Sequence, residues 1–129
     1  MLGHLSFGVS NLARTTAFYD ASMAALGYAR VFTGPEYVGY GLSGTERDNL
    51  LLILQPKPVT PPGPGFHLAF IAPSREAVDR FHVAALQFGG VDQGAPGLRL
   101  HYGPTYYAAF VLDPDGYKLE ATHQAPERV

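Results

Sequence analysis

Between Leu2 and Val9, small or polar residues (His4, Ser6, Gly8) alternate with larger apolar ones (Leu5, Phe7, Val9), the period-two pattern of a strand with one buried face. His4 then stands on the face opposite Leu5 and Phe7. After Asn11 the period changes: Leu12, Phe18, Tyr19, Met23 and Leu26 fall near helical spacing. Ser10 or Asn11 can cap the first turn, and Gly27 can end the helix in the left-handed conformation. Such a helix covers the Phe7 face of the sheet. Three strand-like runs follow, about residues 29–33, 37–42 and 49–54, separated by turn residues that include Gly34-Pro35 and Gly44.

The same plan then recurs. Residues 55–65, QPKPVTPPGPG, hold five of the eleven prolines and exclude helix or central strand, so they read as a linker. Beyond them the pattern predicts a strand over 66–71 and a helix over 74–88, with Val78, Phe81, Ala85 and Phe88 on one side and Gly89-Gly90 as its stop. Strands over 99–102 and 106–112 follow, then a tight turn at Asp113-Pro114-Asp115-Gly116, then a closing strand over 117–122. A shift of 63 positions superposes His4 on His67, Leu5 on Leu68, Phe7 on Phe70, Phe18 on Phe81, Ala21 on Ala84 and Gly27 on Gly90 without a gap. The expected fold is therefore α+β. Two βαβββ modules form a curved mixed sheet with helices outside and one face free as a cleft. They make one domain, with module one at about 1–55, the linker at about 55–65 and module two at about 66–123.

A length of 129 residues suits a single domain, and 47% hydrophobic with 16% charged residues suits a compact globular one. The net charge of −2 supplies no electrostatic footprint for nucleic acid or an anionic membrane. The absence of cysteine excludes disulfides, thiolate metal sites and cysteine catalysis. No apolar stretch approaches ~20 residues and Met1 leads into a strand instead of a signal-peptide pattern, so the cytoplasm is the expected compartment. The sheet edges, with eight Tyr and eight Phe, predict a homodimer.

A repeated strand–helix unit tends to place its two leading histidines at pseudo-symmetric points, one way of bringing two imidazoles to one metal. The strand-initial His4, the helix motif NLARTTAFY, the second strand-initial His67 and DPDGYKLE, in that order, resemble the vicinal oxygen chelate superfamily. That superfamily includes glyoxalase I, extradiol dioxygenases, fosfomycin-resistance thiol transferases and bleomycin-binding proteins. The resemblance implies metal ligands from the first strand of each module and from the strand after the DPDG turn, which here are His4, His67 and Glu120. Two imidazoles and a carboxylate suit Fe, Mn, Ni, Co or Zn and leave coordination positions open. The implied activity is that of a glyoxalase-like, metal-dependent lyase or isomerase acting on a small molecule with neighbouring oxygens, with the metal-bound oxygen or Glu120 as base. The alternatives are a metal-free binding protein like the bleomycin-sequestering members, or an extradiol-type oxygenase.

The departures from the family pattern discriminate among these. Glyoxalase I commonly takes a further carboxylate ligand from the last strand of the first module, which here reads NLLLILQ and offers only Gln55. Extradiol enzymes carry a tyrosine ten residues before the glutamate, where this chain has Phe110, and His101 is the one counterpart available for their extra catalytic histidine. Period two puts Tyr106, Ala108 and Phe110 on one face and Tyr107 and Ala109 on the other. Tyr106 is thereby placed to donate to a substrate oxygen or to act as an acid. Arg99 and Tyr102 are placed to recognise a substrate carboxylate. His82, the repeat counterpart of Tyr19, reads as a helix-surface or interface residue, and His123, three positions beyond Glu120, as a surface residue on the opposite face.

Overall fold

A computed structural model describes residues 1–125. Module one contains β1 (Leu5–Val9), α1 (Leu12–Ala25), β2 (Tyr28–Thr33), β3 (Tyr37–Leu42) and β4 (Leu50–Leu54). Module two contains β5 (Leu68–Ile71), α2 (Arg75–Gln87), β6 (Val91–Leu98), β7 (Tyr107–Leu112) and β8 (Lys118–His123). The strand orders are β1-β4-β3-β2 and β5-β8-β7-β6, so the sequence repeat is also a repeat of topology. In each module the first strand runs parallel to the last and the remaining pairs are antiparallel. The eight strands are divided between two four-stranded sheets.

The helices start where short polar side chains satisfy free backbone N–H groups. Asn11 accepts from the Arg14 amide at 2.9 Å and Ser74 from the Ala77 amide at 3.0 Å. Gly27 (φ +89°) and Gly89 (φ +100°) follow the helix ends in the left-handed region. Each helix packs on its own sheet and the two helices also pack on each other. One core therefore joins both modules, with Phe18, Tyr19 and Met23 of α1, Phe81 and Ala85 of α2, and Val38, Leu52, Val111 and Leu119 of the sheets. Among the described residues no helix is long and apolar enough to cross a membrane.

Two expectations need correction. No strand spans 99–102: the strand is Val91–Leu98, and the chain then turns, with the Tyr102 amide donating to the Arg99 carbonyl at 2.9 Å. VDQGAPGL lacks alternation, and its pairing to β7 is irregular between Asp92 and Gly97. It forms a strand because it lies at a sheet edge, where Pro96 removes no central hydrogen bond. His82 is not a surface residue either. It is 9% exposed, with its Nε2 2.9 Å from Asp92 Oδ1, because α2 is covered by both its sheet and α1 and so needs a wide buried arc.

The DPDG turn of module two is seated on the β1–α1 corner of module one. Asp113 is buried; its Oδ2 accepts from the Tyr19 hydroxyl at 2.6 Å, and its Oδ1 from the Asp115 and Tyr117 amides, both at 2.9 Å. Asp115 receives the Ser10 hydroxyl and lies 3.1 Å from the Arg14 guanidinium, while the Tyr117 hydroxyl donates to the Gly8 carbonyl at 2.8 Å.

The helix-free face of module one is covered by its own chain. Gly39 and Ser6 both stand opposite Leu51 in the register, so Gly39 shares the Ser6 face. A Cβ at Gly39 would lie 2.5 Å from the Asp48 Cβ, and one at Gly41 2.0 Å from the Arg47 carbonyl oxygen. Only glycine lets the β3–β4 loop lie this close to the sheet. Near the other end, Gln55 lies over Gly8.

Candidate active site

Glu120 lies in the middle of β8 on the helix-free face of module two, opposite Ala69 on one side and Phe110 on the other. It is 1% exposed, so its carboxylate depends on partners within the protein. Oε1 lies 2.9 Å from His67 Nε2 and Oε2 accepts the Tyr106 hydroxyl. His67, just before β5, keeps 43% of its side chain exposed. Its ring meets Phe110 edge-on with centroids 5.9 Å apart. Burial, then the hydrogen bond to Glu120, raises the Tyr106 phenol above its ordinary value, so Tyr106 keeps its proton at neutral pH and is a hydrogen-bond donor. Thr122, two positions after Glu120, has its hydroxyl buried with no hydrogen-bond partner among the described residues.

The face continues as an aromatic string. Tyr102 lies 5.2 Å from Tyr106, and His101 4.1 Å from Tyr102, by ring centroids. His101 and Tyr102 are exposed at the outer end of this string, whereas Arg99 reaches inward and its guanidinium lies 5.6 Å from the Phe110 centroid. Tyr107 and Ala109 turn to the core as the alternation requires, and the Tyr107 hydroxyl bonds Asp79 at 2.6 Å. His123 is half-buried, with Nδ1 3.0 Å from the Ala72 carbonyl oxygen.

The structure thus brings together His67, Glu120, Tyr106 and Phe110, with Arg99 beside them. His4 is not among them: among the described residues of one chain, no three His, Asp or Glu side chains are grouped closely enough to hold a metal ion. His4 is exposed and lines a separate, mostly apolar cavity of about 490 Å³ that also includes Leu2, Leu42, Leu68 and Ile71. This cavity lies where the first strands of the two sheets, β1 and β5, come together. Lys118 was not singled out by the motifs, although standing two positions before Glu120 puts it on the same strand face.

A two-module chain with this strand order and a His–Glu pair on an open sheet face defines a class, and comparison with known proteins agrees. The model of the Glyoxalase/Bleomycin resistance protein/Dioxygenase superfamily matches residues 1–121, and the chain belongs to that superfamily. A glyoxalase/bleomycin resistance protein from Albidiferax ferrireducens is similar at 30% identity, over 95% of this chain and 98% of that one, with a TM-score of 0.82. A glyoxalase-related enzyme from Fulvimarina pelagi shares the fold at 21% identity, 96% and 88% coverage and a TM-score of 0.70. A glyoxalase I mutant from Zea mays shares it at 22% identity and a TM-score of 0.68, over 93% of this chain and 44% of that one. No curated protein matches.

Proposed function

We propose that the chain is a divalent-metal-dependent lyase or isomerase of the glyoxalase type, acting as a homodimer on a small molecule with two neighbouring oxygens. The observation that carries this reading is the buried Glu120 carboxylate, held between His67 and Tyr106 on an open sheet face. An imidazole nitrogen beside a carboxylate oxygen is half of a donor set that suits Fe, Mn, Ni, Co or Zn. His67 and Glu120 would hold the metal from one chain, and His4 of a second copy would complete the set. β1 and β5 are edge strands, and Leu2, Leu42 and Ile71 are exposed beside His4, the kind of surface a second copy covers.

The metal, when bound, supplies positive charge that polarises the substrate oxygens. The remaining chemistry belongs to side chains. Glu120 takes a proton from the substrate, and the Tyr106 hydroxyl keeps its own proton and turns from Glu120 to donate a hydrogen bond to the substrate oxygen. Phe110 walls the site and excludes water without exchanging protons, which favours lyase or isomerase chemistry over catechol cleavage.

Mixing variants tests both the metal and the pairing. His4→Ala and Glu120→Ala proteins each lose stoichiometric metal binding and turnover of a hemithioacetal with Ni, Co or Mn. A subunit-exchanged mixture recovers both, since each heterodimer regains one intact site of its two. Full metal binding by His4→Ala alone would refute the shared site. A chain that binds no metal under any of these conditions would be the metal-free ligand-binding type instead.

A further inference from the structure

Two cations converge on the ring of Phe110. Lys118 Nζ lies 5.4 Å and the Arg99 guanidinium carbon 5.6 Å from its centroid. They come from different elements: Lys118 opens β8, and Arg99 follows β6 with its side chain folded back along that strand. Arg99 donates from Nη1 to the Gly97 carbonyl at 2.9 Å and from Nη2 to the Ala95 carbonyl at 2.8 Å. These bonds fix the guanidinium without neutralising it. Three of its five N–H donors remain free of these bonds, as do the three of the Lys118 ammonium. Among the described residues neither cation has a carboxylate within ion-pair distance.

The ring attracts each cation only weakly at a site of this exposure, and the two like charges repel. The arrangement gains most from a third party of negative charge. A Cβ at Gly94 would stand 3.2 Å from both Arg99 Nη2 and Phe110 Cδ2, so the glycine lets the guanidinium and the ring lie this close to β6. The same ring faces His67 at 5.9 Å and pairs in register with Glu120. Lys118 and Glu120 stand two positions apart on one strand face, so a molecule held by the ammonium has Glu120 within reach.

We infer that Lys118 and Arg99 form an oxyanion subsite, so that the substrate carries a carboxylate or phosphate at one end and its neighbouring oxygens at the other. The position of the reacting end rests on the function proposed above; the binding of the anion does not.

The test uses metal-stripped protein, titrated by calorimetry with inorganic phosphate, with glycolate, and with ethylene glycol as the uncharged control. Either anion or both bind and ethylene glycol does not. Lys118→Met, which keeps the aliphatic stem, weakens anion binding about tenfold, the worth of one charge-assisted hydrogen bond. Lys118→Arg restores most of it. Phosphate binding alone identifies a phosphate ester, glycolate alone a carboxylate, and both the shared oxyanion class. Glu120→Ala, which removes the metal site, still binds the anion, and Lys118→Met weakens that binding in the Glu120→Ala background as well. A chain that binds no metal but loses anion affinity in Lys118→Met upholds the subsite and removes the proposed lyase. Equal anion affinity in Lys118→Met and wild type, or no binding of either anion, overturns the subsite and leaves the metal reading intact.

Discussion

Tyr19→Phe removes one oxygen atom from the place where the two modules are joined. In the native protein that hydroxyl donates to buried Asp113 at 2.6 Å, and the other carboxylate oxygen is already engaged by two amides. A buried hydrogen bond to a charged group contributes about 1.5–3 kcal/mol, so the variant should lose about 2 kcal/mol. With an unfolding entropy of roughly 2.1 cal/mol/K per residue, a chain of this length has about 0.27 kcal/mol/K, and Tm should fall by about 7 °C. The loss should depend on pH. Burial raises the Asp113 carboxyl above its ordinary value, whereas the Tyr19 hydrogen bond lowers it. A raised folded-state pKa means that the protonated form favours the fold. Asp113 therefore contributes stability below the unfolded value of 3.8, and that contribution is lost as pH rises through the folded value. Removing the Tyr19 donor raises the folded value further, so the cost of the variant is full at pH 7 and shrinks as Asp113 takes up its proton. Scanning calorimetry at pH 7 and pH 4, at one fixed protein concentration, measures both effects. In an Asp113→Asn background, Tyr19→Phe should show no such dependence on pH. A Tm drop below about 2 °C at pH 7, or an equal drop at both pH values, would refute the reasoning.

Gly41→Ala puts a methyl group 2.0 Å from the Arg47 carbonyl oxygen, so the β3–β4 loop must move, and chemical denaturation should show a loss of about 1–3 kcal/mol with faster amide exchange over 43–49. Tyr106→Phe should lower kcat by about 100-fold or more while leaving the fold intact, measured as turnover against circular dichroism; an unchanged kcat would exclude the phenol as a hydrogen-bond donor to the reacting oxygen. Fe(II)-reconstituted protein should give no ring-fission product from catechol; a yellow product lost in His67→Ala would move the chain to the oxygenases. Light scattering should report twice the 13.9 kDa of one chain, and a monomer at micromolar concentration would remove the shared metal site.

What local periodicity and the repeat govern was legible in the sequence. The helix cap at Asn11 follows from its side-chain chemistry, and the common face of Tyr106 and Phe110 from alternation along the strand. β6 was missed because a glycine- and proline-containing edge strand is held by its neighbour, not by its own pattern. The burial of His82 was foreshadowed by its repeat partner: Tyr19 is also buried, also next to a core phenylalanine, and also bonded to an aspartate. How one module sits on the other was not legible. It depends on contacts between residues about a hundred positions apart, such as Ser10 with Asp115, and it decides whether His4 reaches His67 within one chain.

The glycines under the β3–β4 loop show that the duplicated halves have taken opposite courses. Module one has closed its sheet face with its own Asp48, Arg47 and Gln55, while Ile71, the repeat counterpart of Gly8, stands in the open on module two. An ancestral pair of equal halves would offer two equivalent sites per chain. This chain has kept one face open and covered the other, so binding stoichiometry should be one ligand per protomer.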